Sequence, residues 1–286
     1  MVETIDLKTR SGLTFTTDVM GPADGPVVLL LHGFPESRHS WRQALPRLAE
    51  AGYRAVAPDQ RGYSPGARPD PKDLSNYVFE KLIADAIDIA DTSGAAGKRF
   101  HQVGHDWGGQ ISWGVADMHP ERLASLTILS RPHPSSFKRA LQMPDGEQKK
   151  RSGHHRAFLE ADTGPKLLAD NAKRLRDGLF GQGVPPAALE EHLSVLGNPA
   201  AIEGALAWYR ANAGLTAEIG AIKVPTLYIW GDTDATVGPT AAKGTGEFVS
   251  AAFGMEVLPG VGHFVMDQAA EKATDLMLAH LRKHPV

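Results

Sequence analysis

The stretch Arg99-Phe-His-Gln-Val-Gly-His-Asp-Trp-Gly-Gly-Gln110 changes from a strand pattern to a helix pattern within a single turn. Asp106 stands at that turn, with Gly104 two residues before it and Gly108 two residues after it. Small residues at these positions let the backbone pass close to a strained corner, so the spacing is typical of a nucleophile elbow, with Asp in place of the usual Ser. The alternative is an ordinary helix N-cap, which would need no glycine on either side.

Length and composition bound the class of protein. The chain has 286 residues, a net charge of −3 and no cysteine. This length suits one α/β core that carries an insertion, and the absence of a basic block disfavours nucleic acid or an anionic membrane surface as partners. No stretch approaches the roughly 18 apolar residues of a membrane span, and the N-terminus lacks a signal-peptide pattern. We therefore expect a cytoplasmic protein.

Alternating strand and helix patterns predict a doubly wound, mostly parallel α/β sheet. Residues Thr4 to Met20 alternate apolar and polar around a turn, which predicts an N-terminal hairpin. Apolar runs, typical of strands covered on both faces, follow at residues 27–31, 53–57, 123–129 and 226–230, with a last strand at 255–258. Amphipathic helices are predicted at residues 78–90 and 269–283, and the helix after Asp106 runs to about residue 119.

The pattern changes after residue 130. Residues 131–215 contain helical segments near 156–168, 171–179 and 186–196, without a clear strand. We therefore predict a first core part at 1–130, a helical cap at 131–215 and a second core part at 216–286. Such a cap would cover a site at the carboxyl ends of the parallel strands.

Two further residues fall where a catalytic triad would need them. Asp234 follows the strand at 226–230, and His263 follows the last strand, so the order nucleophile, acid, histidine is that of the α/β-hydrolases. Asp232 competes with Asp234, because aspartates in a turn commonly bond their own backbone. The remaining histidines of the chain have no comparable position.

An aspartate nucleophile changes the task of the histidine. A carboxylate is already ionised at neutral pH and needs no base. Attack by Asp106 on a saturated carbon would leave an alkyl ester, and His263, oriented by Asp234, would then activate water against the ester carbonyl. The oxyanion would form on Asp106, with the backbone N–H groups of Trp107 and Phe34 as the expected donors.

The motifs Val103-Gly-His-Asp-Trp-Gly-Gly109 and His32-Gly-Phe-Pro-Glu-Ser37, with Asp234 and His263, resemble α/β-hydrolases of the epoxide hydrolase group over the whole chain. The resemblance implies the α/β-hydrolase fold with a helical lid, a cis peptide between Phe34 and Pro35, and the choice of Asp234 over Asp232. It implies neither a cofactor nor a metal.

Haloalkane dehalogenases share this elbow, so the residues that stabilise the leaving group must distinguish them from epoxide hydrolases. A halide needs only N–H donors, whereas an opening epoxide yields an alkoxide that must be held or protonated. Trp107 could supply one donor to a halide, but Phe34 stands where many dehalogenases carry an Asn. The stretch Ala205-Leu-Ala-Trp-Tyr-Arg210 resembles the lid motif that carries the ring-opening tyrosine of epoxide hydrolases, which singles out Tyr209.

The second lid donor departs from the commoner pattern. The stretch Gly153-His-His-Arg-Ala-Phe-Leu159 resembles a minority type with a His/Tyr pair, although two solvated histidines would look the same. If residues 153–162 are helical, His154 shares an apolar face with Phe158 and Ala161, whereas His155 does not. This favours His154 as the partner of Tyr209.

These residues predict an epoxide hydrolase whose partners are a small-molecule epoxide and water. The alternatives are a haloalkane dehalogenase and a non-catalytic receptor for a small molecule on the same fold, since fold alone does not exclude a receptor. An esterase is disfavoured, because Asp would form an anhydride with an acyl group. Fluoroacetate dehalogenases carry arginines just after the elbow, where this chain has Trp107 and Gln110.

Overall fold

The structure, a computed structural model, describes residues 1–213 and 218–286. Strands among these residues form one sheet in which only the first two pairings are antiparallel. The strands are β1 (Glu3–Lys8), β2 (Thr14–Met20), β3 (Val27–Leu31), β4 (Arg54–Pro58), β5 (Phe100–His105), β6 (Leu123–Leu129), β7 (Thr226–Gly231) and β8 (Phe253–Leu258). Their order across the sheet is β1-β2-β4-β3-β5-β6-β7-β8. The predicted fold, a mostly parallel α/β sheet, is confirmed.

The central strands follow directly from the apolar runs of the sequence. Every residue of β3, β5, β6 and β7 is buried, because helices cover both faces of the sheet there. The predicted bounds of β3 and β6 are confirmed, β4 is shifted by one residue at both ends, and β7 is longer by one residue at its end. The edge strand β8 begins two residues earlier than predicted, at Phe253, where partly exposed residues weaken the apolar pattern.

Helices flank the sheet and also fill the chain between β6 and β7. They are α1 (Ala44–Glu50), α2 (Phe79–Ala90), α3 (Trp107–Met118), α4 (Pro134–Leu141), α5 (Glu147–Arg151), α6 (His154–Phe158), α7 (Thr163–Gly181), α8 (Pro186–Leu196), α9 (Pro199–Ala211), α10 (Pro239–Lys243), α11 (Val265–Gln268) and α12 (Ala270–Lys283). We call α4 to α9 the helical insertion. No helix in the described ranges has the length and apolarity needed to cross a lipid bilayer.

The helical insertion matches the sequence prediction only in part. Helix α8 has the predicted bounds, but the single helix expected at 156–168 is wrong, because α6 ends at Phe158 and α7 begins at Thr163. Helix α7 is itself interrupted at residues 169–172, where Asp170, Asn171 and Ala172 have positive φ angles. The predicted boundary at residue 215 lies outside the described residues, and the division into core and cap stays a prediction.

Direct contacts seat the insertion on the sheet. The indole Nε1 of Trp208 on α9 donates to the backbone oxygen of Arg61 at 2.9 Å. The backbones of Gly204 and Gly62 meet so closely that a Cβ on Gly204 would lie 2.6 Å from the Gly62 oxygen. These contacts hold α9 over the carboxyl ends of the strands, where the site lies.

Candidate active site

The turn between β5 and α3 has the geometry of a strained elbow. Asp106 adopts φ 48° and ψ −114°, a conformation that side-chain-bearing residues rarely take. A Cβ on Gly104 would lie 2.3 Å from the Gly108 oxygen, and one on Gly108 would lie 2.1 Å from the Leu31 oxygen. Both glycines are therefore required by contact, as the spacing predicted. The Asp106 side chain makes no capping hydrogen bond within the described part of α3, which argues against the N-cap alternative.

The acid and the histidine meet beside this elbow. His263 Nδ1 donates to Asp234 Oδ2 at 2.9 Å, and its Nε2 lies 3.7 Å from Asp106 Oδ2. Asp232 is exposed, and its Oδ1 accepts a hydrogen bond from the Gly260 N–H at 2.7 Å in a surface turn. The structure therefore brings Asp234, and not Asp232, to His263.

These three side chains form a line of alternating charge. Burial lowers the pKa of His263, but the carboxylates of Asp234 and Asp106 outweigh it and raise the pKa to about 10. Burial raises the pKa of Asp106, but His263 outweighs burial and holds that pKa well below its ordinary value. At neutral pH an imidazolium therefore lies between two carboxylates. Asp106 is therefore ionised, and His263 stays protonated while both carboxylates keep their charge.

A buried ion pair, which the sequence motifs did not reveal, lies beside the site. His105 Nδ1 donates to Glu36 Oε2 at 2.6 Å, and His105 Nε2 lies 2.8 Å from the backbone oxygen of His263. Burial opposes ionisation of both groups, but the attraction between imidazolium and carboxylate outweighs it. This attraction raises the pKa of His105 and lowers the pKa of Glu36 to about 2. The signal available in the sequence was a histidine directly before Asp106 on a fully buried strand.

One group of side chains in the described ranges has the spacing of a metal site. Ligand atoms of Glu36, His192 and Asp267 lie within 4.8 Å of one another, and all three residues are buried. Protein partners already engage them, because His192 Nε2 bonds Asp267 Oδ2 at 3.0 Å and His192 Nδ1 lies 3.1 Å from the Ser37 hydroxyl. The arrangement joins α8 to the core through hydrogen bonds.

The expected oxyanion donors border Asp106. The backbone N–H of Phe34 donates to Asp106 Oδ1 at 3.0 Å, and the peptide between Phe34 and Pro35 is cis, as the resemblance implied. Trp107 is the first residue of α3, so its N–H has no acceptor within the helix. The Phe34 N–H thus contacts the carboxylate, and the Trp107 N–H is free of the helix hydrogen-bond ladder.

Two cavities meet at the elbow, and Asp106 and Tyr209 line both. The larger, of about 590 Å³, is also lined by Trp107, Arg131 and His155. The smaller, of about 220 Å³, is lined by residues that include Phe34, His154, Phe158 and His263. The larger volume lies in the range of pockets that bind small organic molecules.

Tyr209 lies on α9 directly above the elbow. Its ring centroid is 5.1 Å from that of Trp107 and 5.6 Å from that of Phe34, both edge to face. Burial and the nearby Asp106 carboxylate raise the pKa of Tyr209 well above its ordinary value. The hydroxyl therefore keeps its proton at neutral pH.

The two lid histidines differ in the protons they can offer. His154 Nδ1 lies 3.1 Å from the backbone oxygen of Arg151, and since a carbonyl only accepts, that nitrogen carries the proton of the neutral ring. Burial lowers the pKa of both rings, that of His155 to about 3. Neutral His154 thus presents a bare Nε2, which cannot donate. The helix that was expected to continue to residue 162 also ends at Phe158. The predicted neighbours His154 and Phe158 are in contact, with ring centroids 5.5 Å apart, so the preference for His154 stays a prediction, one that the bare Nε2 disfavours.

A family model described as the alpha/beta hydrolase fold matches residues 26–270. The chain belongs to that family. Among curated relatives within the alpha/beta hydrolase fold, it is 30% identical to epoxide hydrolase 4 of Mus musculus over 96% of this chain and 77% of the relative. It is also 30% identical to epoxide hydrolase A of Mycobacterium tuberculosis, over 91% of this chain and 92% of the relative.

Solved structures agree with this alpha/beta hydrolase assignment. The chain superimposes on epoxide hydrolase A from Mycobacterium thermoresistibile with a TM-score of 0.85 at 25% identity, and the match covers 100% of both chains. The resemblance to the epoxide hydrolase group that the motifs indicated is confirmed by these relatives.

Proposed function

We propose that this protein is an epoxide hydrolase that opens an epoxide to a vicinal diol through a covalent ester on Asp106. The observation that carries the proposal is the ionised carboxylate at the elbow, with an imidazolium 3.7 Å from one oxygen and a backbone N–H 3.0 Å from the other. The relatives named as epoxide hydrolases support the substrate class. A small-molecule receptor would not need an ionised, strained aspartate facing a cavity.

The first step forms the ester. Asp106 Oδ1 already accepts from the Phe34 N–H, so Oδ2 attacks a ring carbon while the bond from that carbon to the epoxide oxygen breaks. The departing oxygen takes the proton of Tyr209, and the tyrosinate regains a proton that His263 releases through solvent. Because Asp106 is ionised in the resting state, this step requires no base.

The second step hydrolyses the ester. Ester formation removes the Asp106 charge, which is one of the two charges that hold the pKa of His263 near 10, so His263 is released to act as a base. It takes a proton from water, and the hydroxide attacks the ester carbonyl carbon of Asp106. The oxyanion is held by the N–H groups of Phe34 and Trp107, and collapse releases the diol and restores the carboxylate.

His155, rather than His154, is the second donor to the epoxide oxygen in this proposal. His155 lines the larger cavity with Tyr209 and Asp106, and its ring lies 5.7 Å from that of Tyr209. Its pKa of about 3 keeps the ring neutral, with one N–H to donate. Loss of one donor to a developing oxyanion costs on the order of 10²-fold in rate, which we expect for His155→Ala and Tyr209→Phe in ester formation.

Trapping the ester tests the proposal directly. His263→Gln should accumulate an adduct equal in mass to protein plus styrene oxide, because attack needs no base and hydrolysis does. Asp106→Asn is the matched control and should form no adduct. In heavy-oxygen water, a single turnover of the parent protein should label Asp106 before the diol. Solvent oxygen found in the diol after the first turnover would refute the covalent route.

The same assay distinguishes the roles of His154 and His155, and it also distinguishes an epoxide substrate from an alkyl halide. His154→Ala should form the ester within a few-fold of the parent rate, whereas His155→Ala should be slow. Trp107 lines the larger cavity and could donate to a halide, so 1-bromobutane belongs in the panel. Faster adduct formation from the bromide than from the epoxide would favour a dehalogenase.

A further inference from the structure

The larger cavity has a charge pattern that the proposed chemistry does not require. Among the described residues that line it, Asp106 is the acidic one, while four lining side chains are cationic. The cations are Arg131, Lys138, Lys149 and Arg156. The chain as a whole carries a net charge of −3, so this excess of positive charge is local. Such a cavity raises the concentration of anions at its mouth.

Arg131 is the most constrained of the four. Its Nε and Nη2 both donate to Gln110 Oε1, at 2.9 and 2.7 Å, and its guanidinium carbon lies 4.7 Å from the centroid of the Phe137 ring. It is half-buried and forms no ion pair with a carboxylate in the described ranges. By contrast, the buried guanidinium of Arg61 is held by both oxygens of Asp85.

A half-buried guanidinium without a carboxylate is costly unless another anion offsets its charge. The neutral amide of Gln110 and the face of Phe137 orient Arg131 without neutralising it. The guanidinium retains donors that neither group uses, in the planar arrangement that binds carboxylates well. Asp106 lines the same cavity and attracts Arg131 through space, but no hydrogen bond joins the two side chains in the described ranges, so the directly bonded carboxylate is the partner that a bound substrate would supply.

We propose that the preferred substrates are epoxides that carry a carboxylate, with the ring at Asp106 and the carboxylate at Arg131. This inference rests on the proposed function and adds the substrate class. The exposed cations at the cavity mouth offset the repulsion that an anionic substrate meets from Asp106. Arg131 then fixes the orientation of the molecule through charge-assisted hydrogen bonds.

Matched substrates test this assignment. The pair is trans-3-phenylglycidate, which carries a carboxylate beside the epoxide, and trans-3-phenylglycidamide, which has nearly the same shape without the charge. We expect kcat/KM to be about 10- to 100-fold higher for the acid, the range of a charged hydrogen bond. The ratio should fall as salt is raised, because the lysines at the mouth are exposed to solvent.

Variants test whether Arg131 is the source of the preference for the acid over the amide. Arg131→Gln should reduce the acid-to-amide ratio by at least tenfold, and Arg131→Lys should retain part of it. Arg139→Gln is the control, since Arg139 also stacks on a phenylalanine, Phe248, but pairs with Glu247 outside the cavity lining. That variant should keep the parent ratio.

The outcomes also distinguish this inference from the proposed function. Turnover of styrene oxide together with equal kcat/KM for the acid and the amide in the parent protein would overturn the inference and leave the proposed function standing. That comparison uses the parent protein alone, so it does not depend on whether a variant folds. If no epoxide forms an adduct with His263→Gln, the proposed function falls, and this inference falls with it.

Discussion

Gly33→Ala should disable the nucleophile through a single added methyl group. An ideal Cβ at residue 33 lies 2.4 Å from the Asp106 Cβ and 2.6 Å from its Oδ1, where ordinary contacts begin at 3.4 Å. The loop or the carboxylate must therefore move by about 1 Å, a displacement that costs on the order of 10²-fold when it misplaces a reacting group. The shift would also loosen the 3.0 Å hydrogen bond between the Phe34 N–H and Asp106.

The assay for Gly33→Ala is the pre-steady-state rate of ester formation with styrene oxide, measured in the His263→Gln background so that hydrolysis does not interfere. Gly181→Ala is the control, because a Cβ at that exposed position would meet no atom within 4 Å. It should keep the parent rate. Ester formation by Gly33→Ala within threefold of the parent, with an unchanged thermal midpoint, would refute the reasoning.

Three further predictions concern the acid, the pH dependence and the core. Asp234→Asn should slow ester hydrolysis by about 10³- to 10⁴-fold, since His263 loses its orienting charge, whereas Asp232→Asn should stay within a few-fold in the same single-turnover assay. Lowering the pH from 8 to 5 should protonate His263 in the ester and leave Asp106 ionised, so hydrolysis slows, attack does not, and more ester accumulates by mass. A fall in the ester level as the pH is lowered would contradict this prediction. Asp85→Ala should lower the free energy of unfolding by about 3–5 kcal/mol in urea titrations, because Arg61 is left buried without its partner.

The sequence predicted best what depends on periodicity and on contact. The fully buried strands were predicted from apolar runs. The elbow glycines were predicted from their spacing, which reflects the fact that no Cβ fits at either position. The choice of Asp234 over Asp232 agrees with the geometry, since family spacing reports which side of the turn faces His263.

Other features escaped prediction, most of them because they depend on long-range packing. The break between α6 and α7 did have a local signal, because Gly164 and Pro165 stand at the start of α7. Asp170 and Asn171 tolerate positive φ angles better than most side-chain-bearing residues, but Ala172 does not, so the kink within α7 had only a weak signal. The tautomer of His154 depends on the Arg151 oxygen one helical turn away. The cationic lining that includes Arg131 arises from three helices and a loop, so no single motif contains it.

The placement of α9 above the elbow divides the proposed chemistry between two parts of the chain. Phe34, Asp106, Asp234 and His263 follow strands of the sheet, whereas Tyr209 lies on α9. In the proposed route, the nucleophile and the groups that hydrolyse the ester thus follow strands of the sheet, and the donors to the epoxide oxygen belong to the helical insertion. A chimera that carries a relative's insertion on this sheet would therefore acquire new substrates and new regiochemistry while its ester hydrolysis stayed the same, which makes the insertion the part to vary when the enzyme is engineered.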